Sequence, residues 1–102
     1  MITDEIIPLR IDVPWRNIDG NIIVVKPMEG VLYPLNSVAT QIWLLSDGTK
    51  RVADIIEILL AEFDGEADAI RKDTFLFLEE LANASLIKIG KAEETVPLKK
   101  ES

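Results

Sequence analysis

Along the first third of the chain, apolar residues come in short β-branched runs separated by turn dipeptides; further on they recur every three or four positions. The first pattern predicts strands. Trp15 to Ile18 is a short one. Asp19-Gly20 follows, a pair suited to the two positive φ values of a type I′ hairpin. Asn21 to Lys26 is the return strand, centred on Ile22-Ile23-Val24-Val25, whose branching at Cβ favours strand over helix. Pro27-Met28-Glu29-Gly30 reads as a turn, and Val31 to Leu35 as a third strand. The expectation is a three-stranded antiparallel meander.

The second pattern predicts three helices. Asn36 or Ser37 caps the first, which carries Val38, Ala39, Ile42, Trp43 and Leu45 and stops at Asp47-Gly48. The second places Val52, Ile55, Ile56, Leu59, Leu60 and Phe63 at helical spacing. The third, from about Glu66 to Asn83, puts Ile70, Thr74, Phe77, Leu78 and Leu81 on one face. Leu86 to Ile89 is a short apolar segment suited to docking or to a strand. Residues 1–14 mix apolar and charged positions with Pro8 and Pro14 and read as an irregular N-terminal arm. From Gly90 onward the chain is rich in Lys and Glu, with Pro97, and residues 90–102 are expected to be a disordered tail. One domain, residues 15–89, remains between them, in the α+β class.

Composition narrows the chemistry. The 102 residues are 48% hydrophobic, enough for one core. They include no Cys and no His, which removes disulfides, thiolate chemistry and the commonest general base and metal ligand. The opening Met1-Ile2-Thr3-Asp4-Glu5 lacks the basic and then apolar pattern of a signal peptide. Apolar runs such as Ile22–Val25 and Phe75–Leu78 fall far short of the roughly 20 residues that span a bilayer. A cytoplasmic chain without membrane contact is expected. The net charge of −7 opposes nucleic-acid binding. On the third helix Arg71 and Lys72 face Glu66, Asp68, Asp73, Glu79 and Glu80, and Val52 to Phe63 carries three acids and no cation. A winged-helix DNA reader needs the opposite balance. Glu57, Glu62, Asp68, Glu79 and Glu80 read as a solvated helix surface rather than an acid–base or metal set. No catalytic residue, metal or cofactor is expected.

Two surfaces stand out. In a meander the third strand has one neighbour, so its far side is an open edge that an extended peptide can pair with. Pro34 suits an edge, because its missing N–H costs nothing when it faces outward. With Pro34 outward, Leu32 faces outward too, while Tyr33 and Leu35 bond to the neighbouring strand. On the third helix, Phe75 and Leu76 lie about 100° and 200° round from Thr74. They are apolar residues beside or opposite the core stripe, to be covered by the N-terminal arm or used for a partner or a homodimer.

The order and spacing of several pieces carry a resemblance: Gly30-Val31-Leu32-Tyr33-Pro34-Leu35-Asn36, Ile42-Trp43-Leu44-Leu45-Ser46-Asp47-Gly48, Val52-Ala53-Asp54-Ile55, and Asp73-Thr74-x-x-Phe77-Leu78-x-x-Leu81. Together, over residues 16–88, they resemble the PqqD-like family, named for pyrroloquinoline quinone synthesis protein D. Arg51 stands where that family usually has Ser or Thr, and Pro34 where it usually has a hydrogen-bond donor. The resemblance implies a winged-helix-like fold of three strands followed by three helices. It also implies a non-catalytic chaperone that binds the leader of a ribosomally made precursor peptide and hands it to a maturase, often a radical S-adenosylmethionine enzyme. With the open edge, this gives an expected peptide site at Val31, Leu32, Tyr33, Pro34 and Leu35, lined by Arg71, Thr74, Phe75 and Leu78 of the third helix, with Arg71 meeting an acidic leader residue. The competing readings are a winged-helix DNA-binding regulator and a generic protein-interaction domain.

Overall fold

A computed structural model of the protein describes residues 2–91. The element order is β1 (Ile6–Arg10), β2 (Trp15–Ile18), β3 (Asn21–Lys26), β4 (Val31–Pro34), α1 (Ser37–Leu45), α2 (Val52–Glu62), α3 (Ala67–Asn83) and β5 (Ile87–Lys91). The meander β2-β3-β4 is antiparallel throughout, followed by three helices, an α+β fold. The β2–β3 turn has positive φ at both Asp19 (54°) and Gly20 (91°), as a type I′ hairpin requires. Asn36 caps α1, its side chain accepting the Ala39 N–H at 2.8 Å. Arg51 precedes α2 and has no side-chain acceptor to offer. Asp54 answers from within the helix instead, accepting the Arg51 backbone N–H at 3.1 Å. The guanidinium then bonds Asp54 and reaches Glu5. This ion pair holds the Asp54 carboxyl below the usual carboxylate range, mainly through the hydrogen bond from the Arg51 side chain. No helix among the described residues is long and apolar enough to cross a membrane.

The core lies between the inner sheet face, from which Ile22 and Val24 project, and the helices, with Trp43, Ile42, Ile55, Leu59 and Leu78 almost fully enclosed. Thr40 joins the two layers. Its buried hydroxyl accepts the Ile22 N–H at 2.9 Å and donates to the Leu35 carbonyl at 3.4 Å.

The N-terminal segment is not an irregular arm. Residues Ile6–Arg10 form β1, which pairs antiparallel with β5 from Ile6↔Lys91 to Arg10↔Ile87 in a second, two-stranded sheet. Pro8 argues against a strand in sequence but is harmless here. Its carbonyl accepts the Gly48 N–H at 3.0 Å, and two residues on the Arg10 N–H donates to the Ser46 carbonyl at 2.8 Å. Backbone groups alternate along a strand, so the N–H that Pro8 lacks would have faced away from β5. The segment is tied down further by Ile2 and Ile6 in the core, by the Ala53 N–H donating to the Asp4 carbonyl, and by the Arg10 guanidinium donating to the Trp43 and Leu44 carbonyls. The domain therefore begins well before residue 15. Gly90 and Lys91 belong to β5, and the rest of the expected tail lies outside the described residues.

Candidate functional site

The backbone of β4 decides which of its groups are free. The Leu35 N–H donates to the Ile22 carbonyl at 2.8 Å, continuing the β3–β4 register, in which Tyr33 faces Val24 and Leu32 faces Val25. Alternation then turns the backbone of Tyr33 towards β3 and that of Leu32 and Pro34 away from it. Among the described residues no strand pairs with the outer edge of β4. It offers the Leu32 N–H and carbonyl and the Pro34 carbonyl, with proline occupying an outward position.

Beside this edge runs a groove between β4, α1 and α3. It consists of two adjoining clefts of about 470 and 350 Å3 that share Phe77 and Glu80. Tyr33, Leu35, Leu81 and Leu86 line the first, and Val38, Ala39, Ile42 and Leu76 the second, with Asp73 and Asn36 at its rim. Its floor is apolar and its charged groups are carboxylates.

The structure brings together only part of the expected site. Val31, Leu32 and Pro34 are exposed on the edge, Tyr33 is half-buried facing the groove, and Leu35 is 7% exposed at the groove floor. Thr74 and Leu78 are enclosed in the core, where the Thr74 hydroxyl donates to the Ile70 carbonyl at 2.7 Å. Arg71 and Phe75 lie on the far side of α3. At 100° per residue they fall about 160° from Asp73 in opposite senses, while Leu76, Phe77 and Glu80 cluster within about 60° of it. Arg71 is engaged there by Asp4 at 2.8 Å and stacks over the Phe75 ring at 5.3 Å. The groove wall is thus formed by Leu76 and Phe77 with Asp73 and Glu80, and the sequence reading missed this set. Of the two residues expected to support a homodimer, Phe75 is half-buried under Arg71 and Leu76 is 52% exposed on the groove side. Among the described residues no group of acids is placed to hold a metal ion.

An open sheet edge beside a helix-walled groove, on a three-stranded meander followed by three helices, defines a class of small α+β domain whose last meander strand keeps one edge free among the described residues. The chain belongs to the family described as coenzyme PQQ synthesis protein D (PqqD), whose pattern matches residues 21–87. A solved structure described as TbiB1 in complex with the TbiA(beta) leader peptide is similar, with a TM-score of 0.65 at 25% identity over 85% of this chain and 93% of that one. No curated protein matches the sequence.

Proposed function

We propose that the chain is a non-catalytic peptide-binding protein that takes the leader of a ribosomally made precursor peptide as an added strand along β4 and presents it to a maturase. The observation that carries this reading is the edge of β4, unpaired among the described residues and lying directly beside the groove. Family membership and the likeness to TbiB1, a protein solved with a leader peptide, support it. Edge bonds through Leu32 and Pro34 supply affinity at roughly 0.5–1.5 kcal/mol each but read little sequence. Side-chain selection falls to Tyr33, Leu76 and Phe77. The product of the pathway is pyrroloquinoline quinone or another peptide-derived compound.

The test is titration of the 15N-labelled protein with synthetic N-terminal segments of the short reading frames neighbouring its gene. One of them is expected to bind and to shift the amides of residues 31–35. A segment that binds and leaves those amides unmoved overturns the proposed site.

A further inference from the structure

The groove has a charge that its apolar floor does not explain. Asp73 and Glu80 are both exposed on the α3 wall, seven residues and so about 10.5 Å apart along the helix axis. Leu76 and Phe77 lie between them. Among the described residues neither carboxylate forms an ion pair and no Lys or Arg lines either cleft. The cation by the Ala84 end, Lys26, is already held by the Ala84 carbonyl at 2.6 Å and by Glu29 at 3.6 Å. Two carboxylates rooted seven residues apart, with no third acid grouped beside them among the described residues, make no metal site. They can each meet a separate cation on one extended chain.

We infer that the groove selects peptides carrying Lys or Arg on both sides of an apolar anchor: the anchor packs on Leu76 and Phe77, and the cations meet Asp73 and Glu80. This reverses the acidic leader expected from Arg71, and it rests on the β4-edge reading above. A strand advances about 3.4 Å per residue with alternate side chains on one side, so positions two and four apart span about 6.8 and 13.6 Å. The axial spacing of the two residues falls between these values, within reach of long basic side chains. Only the wider spacing leaves a groove-facing residue between the cations, so they stand four residues apart with the apolar anchor midway. An acidic segment is disfavoured twice, by the two carboxylates and by the chain's net charge of −7.

The experiment selects a displayed library of random 12-residue peptides on the full chain and in parallel on the Asp73→Lys/Glu80→Lys double variant, whose exposed substitutions leave the fold intact by circular dichroism. Peptides enriched on the wild type are expected to hold Lys or Arg at the stated spacing around an apolar residue and to shift the amides of residues 31–35. An exposed charge pair changes affinity by up to about fivefold, so the double variant is expected to bind these peptides about tenfold or more weakly. Raising salt from about 0.05 to about 0.5 M is expected to weaken wild-type binding in the same direction. Enriched peptides that shift residues 31–35 but carry neutral or acidic flanks overturn this inference and leave the edge site standing. Enriched peptides that leave residues 31–35 unmoved, or a library that yields no binder, count against both.

Discussion

Thr40 shows how much one side chain contributes to the site. Its hydroxyl serves two backbone groups that β3 and β4 leave unpaired at the start of the helical layer. It thereby fixes α1 against the end of β4, where Leu35 enters the groove floor. Thr40→Val keeps the shape and removes the acceptor, leaving the Ile22 N–H buried and unpaired. A loss of roughly 1–3 kcal/mol is expected, read as a lower urea midpoint with an unchanged slope, and Thr40→Ser is expected to recover most of it. Asn36 has a smaller and more local task, since it satisfies one free N–H of the α1 first turn. Asn36→Ala is expected to cost about 0.5–2 kcal/mol in the same measurement.

At the scale of elements, α3 has one core stripe and two flanks, and the flanks do different things. The flank with Arg71 and Phe75 is tied to the N-terminal segment through Asp4; the flank with Asp73, Leu76, Phe77 and Glu80 walls the groove. Substitutions on the two flanks should therefore separate folding from binding. Leu76→Asp is expected to weaken a groove-binding peptide several-fold by calorimetry and to leave the melting temperature near wild type, since Leu76 is half exposed. Arg71→Glu places two acids together and is expected to lower the melting temperature while peptide affinity stays within about twofold. The α1–α2 junction supplies a pH signature. The Thr49 hydroxyl, with smaller help from the Lys50 ammonium and against a partial desolvation cost, holds the Asp47 carboxyl at about 2, below its ordinary 3.8. A carboxylate lowered in the folded state stabilises it at pH above the ordinary value, and that stabilisation drains away as the pH falls towards the lowered one. Acid unfolding curves of wild type and Asp47→Asn are accordingly expected to converge between pH 3.8 and about 2.

For the molecule as a whole, the ribbon of β1 and β5 closes the two ends of the described chain against the helices. Ile2 and Ile6 lie in the core, and full burial of such side chains contributes roughly 1.5–3 kcal/mol each. Arg10 holds the C-terminal carbonyls of α1, where a cation also meets the negative end of the helix dipole. Domain stabilities are only about 5–15 kcal/mol. Deleting residues 1–11 is therefore expected to abolish cooperative thermal unfolding, although the family match begins only at residue 21. A truncated protein that melted like the full chain would show the ribbon to be peripheral.

Whatever depends on near neighbours along the chain was legible in the residues alone. The β-branched runs and Asp19-Gly20 specify the meander, the apolar spacing specifies the three helices, and Pro34 places the outer edge of β4, because each of these follows from backbone stereochemistry within a few residues. The resemblance in residues 30–48 and 52–55 pointed to the family for the same reason, since it lies in turn, cap and core positions of local origin. Tertiary structure decided the rest. β1 was hidden because its partner lies some 80 positions away and because Pro8 is tolerated only where the N–H it lacks faces away from the partner strand. The groove wall was hidden because a helical pattern locates a core stripe but treats its two flanks alike. The pattern counted Phe77 in the core stripe and left Phe75 outside it; only the N-terminal segment, with Asp4 on Arg71, covers the Phe75 flank and leaves Phe77 lining the groove beside the open strand.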